Sequence, residues 1–180
     1  MKKSVIRRAT TKDIPSIVHV SVSSVAEGET KGFAPPSWST YSTTEELGKA
    51  WAEENRLRDG SEIIVAEKNG KVIGFIVFKG DSAHMYIDNI DIIKDEQRRG
   101  VGRALVEYVE NIAVTNEYFT MKTDTTENAK GIPWKSYGFW TRLGYKDTGE
   151  RLPAKWGFKV IPFVKELGRP EGEKNASTQD

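Results

Sequence analysis

The chain has 180 residues, 29% of them charged, with 27 Lys plus Arg set against 26 Asp plus Glu. That length can close a hydrophobic core without disulfides or a structural metal, and the near balance of charge supplies no global field for nucleic acid or an anionic membrane. With no cysteine and two histidines, thiolate zinc sites, cysteine nucleophiles and disulfide scaffolds are excluded and no metal is expected.

Residues 5–9 read as a short strand, and Thr10 and Asp13 follow as N-cap and first-turn acid of a helix carrying Ile14, Ile17 and Val18. Gly32, Pro35, Pro36 and a Ser/Thr-rich stretch make residues 28–42 a long loop that carries Phe33, Trp38 and Tyr41. Thr43 and Glu46 have capping-box spacing, so Leu47, Ala50 and Trp51 predict a second helix ending before Gly60. Three antiparallel strands follow over 62–67, 71–78 and 85–93, the first two joined by the hairpin pair Asn69-Gly70. After Gly102 the period becomes helical, with Val101, Ala104, Leu105, Tyr108, Val109 and Ile112 on one face. A strand over 118–123, a helix over 134–143 stopped by Gly144, and two closing strands from Tyr145 onward and over 158–164 give the order β-α-α-β-β-β-α-β-α-β-β. Residues 1–167 read as one domain, and the polar stretch 168–180 has no apolar cluster to offset the entropy of ordering, so a loose tail is expected.

The chemistry concentrates at one junction. Ile90-Asp91-Ile92-Ile93 ends a strand, and Gln97-Arg98-Arg99-Gly100-Val101-Gly102-Arg103-Ala104 opens the next helix. Gly100 and Gly102 lack Cβ atoms, so backbone amides can approach an anion, and the first-turn N–H groups have no acceptor inside the helix. The helix dipole and Arg98, Arg99 and Arg103 add attraction for a diphosphate. A P-loop is disfavoured by the missing Gly-Lys-Ser/Thr, and a dinucleotide fingerprint by Leu105 in place of its third glycine. An ordinary tight turn with solvated arginines is the bland rival.

The pattern Gln/Arg-x-x-Gly-x-Gly/Ala, matched by Gln97, Gly100 and Gly102, resembles the acetyl-CoA signature of the GNAT acetyltransferase superfamily. Residues 6–14, 69–75 and 139–145 also look like that family's first strand and helix start, second hairpin, and last helix-to-strand segment. The resemblance implies an α/β (α+β) fold, with a central mixed, mostly antiparallel sheet of about seven strands flanked by about four helices. It also implies an N-acetyltransferase that moves the acetyl group of acetyl-CoA by direct attack to a primary amine, whether a small-molecule amine, a protein N-terminus or a lysine side chain. A non-catalytic acyl-CoA-binding module of the same fold is the alternative.

Further expectations follow from the resemblance. Main-chain groups of Ile90, Asp91 and Ile92 should hold pantetheine, Ile92 or its neighbour should polarise the thioester carbonyl, and amides of Arg98, Arg99, Gly100, Val101, Gly102, Arg103 and Ala104 should hold the pyrophosphate. Tyr86 stands where some members carry a glutamate base, so Asp88, two residues on, becomes the candidate proton acceptor; Asp91 is the other, facing the opposite side if the strand is regular. Trp140 stands where many relatives carry a tyrosine acid; it is read as a cofactor contact, with Tyr137 as the substitute donor and Asn128 as a further contact. The acceptor, a small molecule or a protein, should enter between the 28–42 loop and the C-terminal strands, walled by Phe33, Trp38, Tyr41 and Trp156. No nucleic acid or membrane partner is expected, a homodimer is left open, and a soluble, cytoplasmic protein is expected.

Overall fold

The computed structural model describes residues 4–24, 60–154 and 157–168. Within them the order is β1 (Val5–Arg8), a 3-10 turn (Thr11–Asp13), α1 (Ile14–Ser23), β2 (Glu62–Lys68), β3 (Lys71–Gly80), β4 (Met85–Ile92), a 3-10 turn (Lys94–Glu96) and α2 (Val101–Thr115). Then come β5 (Thr120–Glu127), α3 (Tyr137–Arg142), β6 (Lys146–Asp147), β7 (Leu152–Pro153) and β8 (Lys159–Glu166). The strands form one sheet in the order β1-β2-β3-β4-β5-β8-β6, with β7 also on β8. Every pairing is antiparallel except β4 with β5.

Two apolar layers explain why the central strands are apolar at successive positions. Ile63, Val65, Phe75 and Val77 face α1 through Ile17, Val18 and Val20. Their neighbours Ile64, Ile76 and Phe78 face the opposite way, onto Leu105, Val106 and Val109 of α2. Each such side chain, fully buried, contributes about 1.5–3 kcal/mol. Asn69 at φ 53 and Gly70 at φ 75 supply the two left-handed residues of the β2–β3 turn, as the dipeptide predicts. The α3 helix ends in a Schellman motif: Tyr145 N–H donates to Trp140 O at 3.1 Å and Gly144 N–H to Thr141 O at 3.1 Å, with Gly144 at φ 85.

Several boundaries differ from the sequence reading. The strand expected over 118–123 runs Thr120–Glu127 instead. Its Thr-rich end carries no apolar run, and Tyr118 is drawn off to donate its hydroxyl to Asp81 O at 2.9 Å. The helix expected over 134–143 is only Tyr137–Arg142, because Trp134 N–H donates to Thr126 O at 2.8 Å and Pro133 bridges Glu127. Three strands close the fold where two were expected, the two-residue β6 and β7 and the eight-residue β8. At the first helix, Asp13 Oδ2 accepts from Thr10 N–H at 2.8 Å, closing one arm of a capping box, while Arg7 clamps the same carboxylate at 2.8 and 2.9 Å. The predicted helix ending before Gly60, the 28–42 loop with Phe33, Trp38 and Tyr41, the tail beyond 168, and Trp156 lie outside the described residues. No helix among the described residues is long and apolar enough to cross a membrane.

Candidate active site

The site starts from one irregularity. On β3 the step from Val77 to Phe78 is a single residue, but their β4 partners are Asn89 and Ile87, so Asp88 is an extra residue bulged out of the ladder. A bulge transfers all later side chains to the other face. Met85 and Ile87 before it, and Ile90 and Ile92 after it, therefore all pack on the α2 layer. Asp91 consequently shares the α1 face with Tyr86 and Asp88, which corrects the regular-strand expectation that it faces the other way.

The same strand parts from its parallel neighbour. Only Met85 with Met121 and Tyr86 with Lys122 pair between β4 and β5; beyond them residues 87–92 and 123–127 run on unpaired with each other. Ile93 N–H donates to Ile73 O at 3.0 Å, so by antiparallel alternation Asp91 bonds to β3, whereas the main-chain N–H groups of Ile90 and Ile92 turn toward the opening beside β5. Two of the three expected pantetheine contacts are thus presented. Asp91 is not, because its amide and carbonyl belong to the β3 ladder.

At the end of β4 the backbone is pinned from both sides. Lys68 Nζ holds Glu96 at 2.7 and 3.0 Å, and Gln97 Nε2 donates to Ile92 O at 2.9 Å and Ser24 O at 2.5 Å. The Gln97 main-chain N–H donates to Lys94 O at 3.3 Å. Through these bonds Gln97 braces α1 against β4. Arg98 at φ 58 and Gly100 at φ 85 then turn the chain through left-handed conformations into α2, a geometry that points successive amides at one spot.

No side chain caps that helix. Ala104 N–H donates to Gly100 O at 3.0 Å, so Ala104 closes the first turn and is removed from the expected anion contacts; Val101, Gly102 and Arg103 have no acceptor inside the helix. Nothing lies within 4 Å of where a Gly100 Cβ would point. Gly102 is required differently: a Cβ there would meet Phe139 at 3.2 and 3.3 Å, so α2 and α3 touch through it. Arg98, Arg99 and Arg103 are exposed around the turn. A diphosphate fits this cradle, and a thioester arm fits the unpaired edge that leads away from it.

Carboxylates gather on the α1 face. Asp91, partly buried, accepts from Ser21 Oγ at 3.3 Å, while the nearby Ser24 hydroxyl donates to Ser21 O at 2.9 Å and Asn89 stands on the same face. Burial pushes its carboxyl up to about 6, against the pull of those hydrogen bonds and of Lys135. Asp88 is exposed. With Tyr86, Lys79 and Asp81 it lines a shallow depression of about 390 Å³. Tyr86 donates its hydroxyl to Asp124 across the β4–β5 junction, and burial raises the Asp124 carboxyl above its usual range, with Asp88 adding repulsion. Asp124, Ser21 and Ser24 carry no local signal in the sequence, because only the parallel pairing and the docking of α1 bring them to this face.

Three further candidates change role. Trp140 is 2% exposed and stacks edge-on with Phe139 and Tyr145 at 4.9 and 5.1 Å between ring centroids, so it is a core residue and not a cofactor contact. Tyr137 donates its hydroxyl to Asp147 Oδ2 at 3.0 Å, and that carboxylate raises the phenol above its usual value, the wrong direction for a proton donor. It is a packing residue, edge-on to Phe163 at 5.2 Å. Asn128 Oδ1 accepts from Lys130 and Ile132 N–H groups, each at 3.0 Å, and so shapes the turn after β5. Among the described residues no group of three or more His, Asp or Glu could hold a metal ion.

The model of the acetyltransferase (GNAT) family matches residues 27–145. The chain belongs to that family. GNAT enzymes take acetyl-CoA as cofactor and act on amine acceptors, so this protein is an acetyl-CoA-dependent acyltransferase. Solved GNAT structures share its fold. A putative acetyltransferase of the GNAT family from Desulfovibrio desulfuricans is 18% identical, covers 92% of this chain and 100% of its own, and superposes with a TM-score of 0.70. PaiA N-acetyltransferase from Thermoplasma acidophilum, in complex with coenzyme A, is 17% identical over 92% and 100% of the two chains, with a TM-score of 0.67. The ribosomal-protein-S18-alanine N-acetyltransferase from Escherichia coli is 21% identical over 97% and 99%, with a TM-score of 0.65. No curated protein matches the chain.

Proposed function

We propose that the enzyme transfers the acetyl group of acetyl-CoA to a primary amine by direct attack, with the turn 98–103 as its diphosphate cradle. The observation that carries this reading is the uncapped start of α2, with Gly100 left-handed, standing at the open end of the β4–β5 parting. Acetyl-CoA supplies an acyl group activated as a thioester. The N–H groups of Val101, Gly102 and Arg103 hold the pyrophosphate, and Arg98, Arg99 and Arg103 add positive charge around it. The N–H groups of Ile90 and Ile92 pair with the amides of the pantetheine arm, as an added strand would, and one of them polarises the acyl carbonyl. A carboxylate on the α1 face, Asp88 or Asp91, takes the amine proton, since an alkylammonium with a pKa of about 10 carries no free lone pair near neutral pH.

The acceptor is a primary amine presented from the α1 side, opposite the helix that holds the diphosphate. PaiA and the S18-alanine enzyme share this fold, and amines of small molecules, a protein N-terminus and a lysine side chain are all candidates. Calorimetry with coenzyme A, followed by thiol-release assays with a diamine, an aminoglycoside and a peptide bearing a free α-amine, tests the reading. Saturable coenzyme A binding and turnover of at least one amine are expected. Absence of coenzyme A binding would overturn it.

A further inference from the structure

Two carboxylates could take the proton, and their surroundings differ. Asp88 is the extruded residue of the bulge and is exposed. Asp91 lies between Ile90 and Ile92, the two residues whose N–H groups turn into the β4–β5 parting. Its main chain is locked into the β3 ladder opposite Phe75, while its carboxyl projects beneath the C-terminal turn of α1. Because α2 and its diphosphate cradle occupy the other face of the sheet, the α1 face is the one from which an amine can approach an acyl group lying in the parting.

The geometry points to Asp91 as the proton acceptor for the attacking amine, a step that rests on the amine-acetylation reading. Its carboxylate takes one proton from the acceptor ammonium. The freed nitrogen lone pair makes the C–N bond while the C–S bond breaks with its electron pair leaving on sulfur. The second nitrogen proton passes to that sulfur, and Asp91 returns its own proton to solvent. The groups facing the carboxyl are Ser21 from α1, Ser24 just after it, Asn89 from β4 and, as the charged one, Lys135 from the segment before α3. Ser21 holds the carboxylate in place with a neutral hydroxyl, so it stays basic enough to work, which matches its elevation to about 6.

Asp91→Asn and Asp88→Asn should be compared with the native enzyme in acetyl-CoA turnover from pH 5 to 9, using the amine accepted in the thiol-release assay. Asp91→Asn is expected to lose kcat about 10²- to 10⁴-fold, to keep coenzyme A affinity by calorimetry within about twofold, and to lose the low-pH limb of the profile; Asp88→Asn should keep that limb. Retention of the limb and of kcat in Asp91→Asn, or their loss in Asp88→Asn alone, overturns the assignment while leaving the transferase reading standing. Carbon-13 titration of the aspartate carboxyls gives a readout independent of turnover. The resonance that vanishes in Asp91→Asn should titrate near 6, and a midpoint near 4 overturns the assignment even where no acceptor amine turns over. A native protein that binds no coenzyme A at all sinks the transferase reading itself.

Discussion

Placing a carboxylate where solvent is scarce carries a stability consequence that can be measured with no ligand present. Asp91 is held at about 6 in the folded protein against 3.8 as a free side chain. At 1.36 kcal/mol per pH unit this disfavours the ionised folded state by ~3 kcal/mol at most, and its residual contact with water reduces that to ~2 kcal/mol. For an acid whose folded pKa lies above its unfolded one, the unfolded state binds fewer protons in between. The penalty is therefore absent below about pH 4, grows between about pH 4 and 6, and is complete above that. Asp91→Asn removes the charge and keeps an oxygen for Ser21. The variant should be more stable than the native protein by ~2 kcal/mol at pH 8, with the gap closing as pH falls to 4. Urea unfolding at pH 8, 6.5, 5 and 4, with equal slopes for both proteins, measures it. A gap independent of pH, or a variant less stable at pH 8, would refute the account, because every other titrating group cancels in the difference.

Other outcomes follow from the same structure. Gly102→Ala should destabilise by ~1 kcal/mol without any ligand, since its Cβ presses on Phe139 at 3.2 Å; an unchanged melting temperature would contradict that contact. Arg99→Ala and Arg103→Ala should each weaken coenzyme A binding by ~2- to 5-fold at low salt, the effect shrinking as salt rises, while thermal stability holds because both side chains are exposed and the Arg103 pair with Glu107, at 3.9 Å, is a surface one. Arg7→Ala strips the clamp from Asp13, whose carboxyl Arg7 holds well below the usual range. Because that folded pKa is depressed, the native advantage, of order 1–3 kcal/mol, should be complete above about pH 4 and fade as pH falls further; denaturant midpoints across pH 2 to 7 check it.

What the sequence disclosed is what is encoded by neighbours in the chain. The Asn69-Gly70 turn, the Gly144 stop and the glycine pair opening α2 each depend on φ values or close approaches that few residues allow. The acidic face was less accessible. Asp124 meets Tyr86 only through a parallel pairing between strands separated by a whole helix, and nothing local in Thr123-Asp124-Thr125 announces it. Asn128 and Gln97 have residue types suited to a ligand, yet the protein's own backbone claims Oδ1 of the first and Nε2 of the second.

The bulge at Asp88 is an intermediate case. Met85 and Ile87 are apolar at odd positions and Ile90 and Ile92 at even ones, and a strand buried on one face switches parity only by inserting a residue. A regular strand would point Ile90 and Ile92 toward α1 and press Asp91 into the apolar layer under α2, among Ile76, Phe78 and Leu105. A lone carboxylate there would be too costly to ionise. The inserted residue therefore settles two matters together: it aims the Ile90 and Ile92 amides into the parting from β5, and it turns Asp91 to the face where Ser21 can hold its charge.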